Sequence, residues 1–145
     1  MAAAIGRQRR VAGFYTEELR VGRDRVGFRI VTLDGREAVL AHVDRHRPPR
    51  VGKYGVDLAA IDAVAVSAIT PRRSVDVYLV DEIGKMECLS PAFVTAMRTL
   101  LHSPAAVVAT VAERGGGFIA EVKRRRDAET WPLTRANRGT LSIGC

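Results

Sequence analysis

Residues 75–87 read Val-Asp-Val-Tyr-Leu-Val-Asp-Glu-Ile-Gly-Lys-Met-Glu, and no other stretch of the chain restricts its fold as much. A short apolar run, broken once by Asp76, ends in the adjacent carboxylates Asp81 and Glu82 and then in Gly84. This is the pattern of a buried parallel strand, here spanning 75–80, that delivers acidic groups to its carboxyl edge. Open α/β sheets bind their ligands at that edge. A carboxylate there can hold a magnesium ion, directly or through water. A second carboxylate one residue on points differently and can orient or deprotonate a water. Phosphoryl transfer needs both tasks. The plain alternative is a strand that ends in exposed acidic residues, and spacing alone does not choose between them.

The 145 residues suffice for one domain with a real core, and 47% of them are apolar, which excludes a disordered chain. No run of about 18 apolar residues occurs, so no transmembrane helix is expected. Met1–Arg10 turns basic after Ile5 and does not read as a secretory signal. Cys88 and Cys145 have neither metal nor redox spacing, so a reduced, cytoplasmic protein is the simplest reading. The net charge of +7 comes almost wholly from arginine, since Lys53, Lys85 and Lys123 are the only lysines. Such an excess suits nucleic acid, acidic lipid or phosphorylated small molecules, and equally a solvated arginine-biased surface.

In chain order, Val11–Thr16 reads as a strand and Glu17–Arg25 as a turn around Gly22. Val26, Phe28 and Ile30 alternate with Gly27 and Arg29, as in a half-exposed strand. Asp34-Gly35 signals a hairpin whose partner strand is Glu37–Val43. Residues 11–43 are therefore an antiparallel ribbon. Asp44–Tyr54 reads as an irregular basic loop containing Pro48-Pro49. Leu58, Ile61, Val64 and Ala65 then share one helical face, with Asp57 as cap. Beyond the strand at 75–80, Ser90-Pro91 starts a helix that buries Phe93, Met97, Leu100 and Leu101. Ala105–Val111 is a second buried strand with one threonine, and Phe118–Arg126 a short amphipathic helix. Glu129–Leu133 is expected as a last strand, with a turn or helix over Thr134–Gly139. Strand-helix-strand-helix-strand is the grammar of a parallel sheet.

Other groups carry less information. Arg45, Arg47, Arg50 and Lys53 can clamp phosphates or simply line a solvated loop. Gly115-Gly116-Gly117 can present N–H groups to an anion or form a turn before a helix. Phe14 and Tyr15 can stack on a base, but core packing is the default. His42, His46 and His102 form no ligand set by spacing. A nucleotide hydrolase of this kind also needs Gly-x-x-x-x-Gly-Lys-Ser/Thr. Only Gly22 and Gly27 have the glycine spacing, and Phe28-Arg29 stands where Lys and a hydroxyl belong.

Several blocks nevertheless occur in a specific order: Gly13-Phe14-Tyr15-Thr16-Glu17-Glu18, Val26-Gly27-Phe28, Thr32-Leu33-Asp34-Gly35, Arg50-Val51-Gly52-Lys53-Tyr54, the Val80–Glu87 run, Ser90-Pro91-Ala92-Phe93 and Asn137-Arg138. Together, from about Val11 to Leu141, they resemble the cancer-related nucleoside-triphosphatase family. The resemblance implies a three-layer P-loop α/β fold of the RecA type, here with an antiparallel ribbon near its start. It implies magnesium-dependent hydrolysis of ATP, GTP and other nucleoside triphosphates. It implies Asp81 as the magnesium-associated residue and Glu82 as the group that activates water. It places Val77, Tyr78, Leu79, Val80, Asp81, Glu82, Ile83 and Gly84 along the nucleotide, with Asn137 and Arg138 near it.

The sequence departs from the family in one respect. The strand, phosphate loop and helix that precede the Gly-Phe-Tyr-Thr block in the family, about thirty residues for such a unit, have only Met1–Arg10 in their place. The expectation is a single incomplete domain over 1–145, truncated at its start, with unpaired sheet edges and weak or absent hydrolysis. Two further readings stand beside it. One is a truncated, non-catalytic form that binds nucleotide or a protein partner. The other is a basic nucleic-acid-binding module, which explains the charge but not the Asp-Glu edge.

Overall fold

The structure is a computed structural model that describes residues 9–132. The ribbon comes first. Strand β1 (Val11–Val21) pairs antiparallel with β2 (Asp24–Thr32), and β2 with β3 (Glu37–His42). Glu17–Val21 therefore continues the strand instead of turning, and only Gly22 and Arg23 lie between the two strands. Ion pairs across the ribbon support that extension, with Arg29 to Glu17 at 2.7 Å and Arg25 to Glu18 at 3.1 Å.

The basic stretch after it is not irregular throughout. Strands β4 (Arg50–Val51) and β5 (Tyr54–Val56) form a small hairpin, and β5 pairs with β3. Its arginine head explains the pairing: Arg50 donates to the carbonyls of Arg45 and Lys53 at 2.8 and 2.7 Å, and so fastens the turn.

Helical geometry then runs through Leu58–Ala60, a π-helical segment Ile61–Ala65 and Val66–Ile69, here together called α1. Asp57 caps it as expected, accepting from the Ala60 N–H at 3.1 Å. Strand β6 (Val77–Ile83) follows, shifted from the expected 75–80: it starts two residues later and runs three residues further. Helix α2 (Pro91–His102) begins where Ser90-Pro91 predicts, with Ser90 Oγ accepting from the Phe93 N–H at 3.0 Å. Strand β7 (Ala106–Val111) and helix α3 (Gly117–Lys123) complete the described elements. No strand forms over 129–132, where the sequence suggested one. Thr130 and Trp131 are exposed there, so that no face of the segment is buried as a strand of the sheet would be. The turn or helix expected over Thr134–Gly139 lies outside the described residues.

One seven-stranded sheet results, in the order β4-β5-β3-β2-β1-β6-β7. Its β1, β6 and β7 are parallel, and from β1 outward β2, β3, β5 and β4 each pair antiparallel with the strand before. Among the described residues β7 pairs on one side only. Register explains the layering. Phe14, Tyr78, Val80, Val107 and Ala109 fall on one face and are fully or almost fully buried. Ile61, Ile69, Phe93, Met97 and Leu100 from α1 and α2 complete that core, and the rings of Phe14 and Phe93 meet edge to face at 6.1 Å. Val77, Leu79 and Asp81 alternate onto the opposite face and stay half-buried. Gly13 permits the close approach of β1 to β6: its φ is +123°, and a Cβ there would lie 1.9 Å from the Leu79 carbonyl oxygen. Among the described residues no helix is long and apolar enough to cross a membrane.

Candidate active site

The carboxyl edge of the three parallel strands gathers the acidic groups. Asp81 and Glu82 belong to β6 itself, not to a loop beyond it. The pairing of β6 with β7 shifts between Val80 and Ile83, so the ladder is irregular where the carboxylates stand. Thr110 of β7 donates to Asp81 Oδ1 at 2.7 Å. The second carboxylate oxygen has no hydrogen-bond partner among the described residues, and it is the natural donor for a hard cation.

Glu82 is half-buried, and burial followed by the neighbouring Asp81 carboxylate pushes its pKa up. A base of raised pKa is better matched to accepting a proton near neutral pH than an ordinary glutamate. Behind it, the chain turns back through Gly84 into a short 3₁₀ turn at Glu87–Leu89. Glu87 is only 4% exposed. A Cβ on Gly84 would lie 2.9 Å from Glu87 Oε1 and 3.0 Å from Glu82 Oε1, so glycine leaves room for both carboxyls. Burial pushes Glu87 up to about 7; its own N–H and that of Gly84 oppose the rise, and the Glu82 and Asp81 charges add to it. Cys88, half-buried beside it, is pushed up to about 12, first by burial and then by Glu87 and Glu82. A thiol so disfavoured as thiolate is chemically quiet.

A cavity of about 260 Å³ opens here, walled by Thr16, Phe28, Leu40, Val51, Met86 and Ala112, with Glu82, Lys85 and Glu87 at its polar side. A larger groove of about 560 Å³ continues past Lys85 to Arg50, Arg98 and the Gly115–Gly117 loop. A separate hollow of about 370 Å³, between Pro71, Arg72, Asp76 and Pro104, lies at the other ends of the strands, away from the carboxylates.

The structure divides the predicted nucleotide stretch. Tyr78, Val80 and Ile83 are fully buried, and the Tyr78 hydroxyl accepts from the Arg72 N–H at 2.7 Å. Val77, Leu79 and Asp81 share the half-buried face. Gly84 sits between the two glutamates. Asn137 and Arg138 lie outside the described residues. Two cations of the basic loop are engaged with their surroundings: Arg45 pairs with Asp57 at 3.7 Å, and Lys53 stands over the Tyr54 ring at 5.5 Å. Phe14 is core, as its default predicts. Two groups escaped sequence reasoning, the Thr110 hydroxyl and the buried Glu87 carboxyl. Thr110 is the only hydroxyl in an otherwise apolar strand, which was its one visible signal.

The family model described as NTPase matches residues 2–143. The chain belongs to this nucleoside-triphosphatase family. It is 41% identical over 130 residues to the nucleoside-triphosphatase THEP1 of Thermotoga maritima, covering 89% of this chain and 75% of that protein. It is 36% identical over 148 residues to the human cancer-related nucleoside-triphosphatase, covering 90% of this chain and 76% of that protein. Among solved structures, THEP1 from Aquifex aeolicus superposes with a TM-score of 0.79 at 32% identity, covering 92% of this chain and 80% of that one. The α/β sheet described above is thus the P-loop nucleoside-triphosphatase fold.

Proposed function

We propose that this nucleoside-triphosphatase hydrolyses ATP, GTP and related nucleoside triphosphates with magnesium, using Asp81 to hold the ion and Glu82 to activate water. The observation that carries the reading is the pair itself. Asp81 is fixed through one oxygen by Thr110 and free at the other, and a pKa-raised Glu82 stands next to it.

The residues fit magnesium. Among the described residues no three acidic, histidine or cysteine side chains converge on one point. Magnesium does not require such a cage, because it keeps waters and is held by one or two carboxylates together with substrate phosphates. When bound, the ion neutralises charge on the phosphates. Glu82 takes a proton from the attacking water as the new oxygen–phosphorus bond forms. The bond from the γ-phosphorus to the bridging oxygen breaks, and the diphosphate leaves with that electron pair. Thr110 keeps Asp81 in place throughout. The half-buried backbone from Val77 to Gly84 lies beside the nucleotide, and Asn137 and Arg138 are proposed to approach it.

Residues 1–145 contain no Gly-x-x-x-x-Gly-Lys-Ser/Thr. That motif supplies most of the phosphate grip in P-loop enzymes, so turnover by residues 1–145 on their own is expected to be slow. The deciding experiment is phosphate release from ATP and GTP with magnesium, for the protein and for Glu82→Gln. Slow release that falls to background in the variant is expected. Equal release from both proteins would remove Glu82 from its role, and fast release abolished by the substitution would refute the expectation of slow turnover.

A further inference from the structure

We infer that Lys85 is a phosphate-contacting residue of this site, reaching the terminal phosphate of the bound nucleoside triphosphate. The inference rests on the reading of Asp81 and Glu82 given above.

Lys85 follows Gly84 at the end of β6 and is exposed. It is the one residue besides Val51 that lines both the carboxylate cavity and the groove leading to Gly115–Gly117. Three cationic side chains line those two spaces, and two of them are already engaged. Arg50 donates to two backbone carbonyls of its own hairpin. Arg98 holds Glu121 through two bonds of 3.0 and 2.7 Å and stands over the Phe118 ring at 5.4 Å. Among the described residues Lys85 makes no hydrogen bond and no ion pair, although Glu82 and Glu87 line the same cavity.

An exposed lysine bound to neither carboxyl is free to meet a ligand in the space that it lines. Its flexible stem and compact charge suit a phosphate group better than a fixed planar partner. The chemistry around it calls for such a group. The proposed water lies at Glu82, so the phosphate under attack lies within a few ångströms of the same edge. Negative charge on the terminal phosphate would then face Asp81, Glu82 and Glu87, and of the cationic side chains that line these two spaces Lys85 is the one left unengaged to meet it. Glu87 lowers that demand when protonated and raises it when charged.

The reading predicts a contact to the terminal phosphate and not to the nucleoside. The test is equilibrium binding of N-methylanthraniloyl-labelled nucleoside triphosphate and diphosphate, with magnesium, to the protein and to Lys85→Ala, Lys85→Arg and Glu82→Gln. Loss of one charge-assisted bond is worth about tenfold or more in affinity. Triphosphate affinity should fall about tenfold in Lys85→Ala, recover in part in Lys85→Arg, and leave diphosphate affinity within about twofold. Equal loss for both nucleotides, or no loss for either, overturns the inference. Failure of the unsubstituted protein to bind either nucleotide overturns the functional reading and this inference with it. If Glu82→Gln turns over normally while Lys85→Ala loses triphosphate affinity selectively, the assignment of Glu82 fails and that of Lys85 stands.

Discussion

Glu87→Gln should stabilise this protein, and only above mildly acidic pH. Among the described residues Glu87 is the only ionisable side chain among the buried polar ones, which otherwise are Thr32 and Ser90. Its pKa rises from 4.5 to about 7, with burial as the largest cause. A raised carboxyl favours the folded state in its neutral form. The contribution is complete below the unfolded value near 4.5 and is lost as pH climbs through about 7. At about 1.4 kcal/mol per pKa unit, a shift of this size puts about 3 kcal/mol at stake. Glutamine reproduces the protonated side chain in shape. Its carbonyl oxygen can accept from the same N–H groups of Gly84 and Glu87, but it never ionises.

Urea unfolding at several pH values reads the difference. The variant and the unsubstituted protein should differ by less than about 1 kcal/mol at pH 5 and by about 3 kcal/mol at pH 8, the variant being the more stable. With a urea slope of about 2 kcal/mol per molar, the midpoint gap at pH 8 is about 1.5 M. The window is a clean one. Glu18, Asp34, Glu121 and Asp127 are all held below their ordinary values, chiefly by bonds to Arg20, Thr32, Arg98 and Arg125 respectively. Their contributions are present above the unfolded carboxylate values and disappear only as pH falls through the lowered ones, below this range. Glu82 shifts in the same direction as Glu87 and leaves a smaller slope in the variant. A gap that stays constant from pH 5 to 8 would refute the reasoning, because packing and not charge would then be its source.

Two further substitutions test the frame that holds the site. Gly13→Ala meets both a φ of +123° and a carbonyl oxygen 1.9 Å from the new carbon, and neither backbone can yield without breaking the β1–β6 ladder; a loss on the order of 4 kcal/mol in denaturant titration is expected. Ser90→Ala removes the cap on the Phe93 N–H and the bond to Asp62 at 2.5 Å that ties α2 to α1; a cost of about 2 kcal/mol, seen as a drop of about 4–8 °C in Tm, should follow.

What could be read from the chain alone depended on how local the deciding physics was. Ser90-Pro91, Asp57 and Asp34-Gly35 act over three or four residues, and each marks a boundary that the structure keeps. Period-two alternation likewise marked β2, and an unbroken apolar run marked β7. The errors lie where a distant partner decides. Glu17–Val21 looks like a turn by composition, but Arg25 and Arg29 on the neighbouring strand hold its glutamates in a ladder. The hairpin at Arg50–Val56 was hidden because its arginine bonds to main-chain carbonyls, which a sequence does not display.

The same division runs through the site. Asp81 and Glu82 are visible as a pair because they are adjacent in the chain. Thr110 reaches Asp81 from 29 positions away, and no spacing rule points to it. Glu87 lies in plain view within the motif, yet its character comes from burial behind Gly84, where a side chain on that glycine would crowd both glutamates. Gly84 is therefore more than a turn residue. It sets how closely the proposed base and its buried neighbour approach, and so how strongly the Glu82 charge adds to the rise that burial gives Glu87. The short motif after β6 thus encodes an electrostatic arrangement in the order of its residues, and the sheet supplies the desolvation that makes it effective.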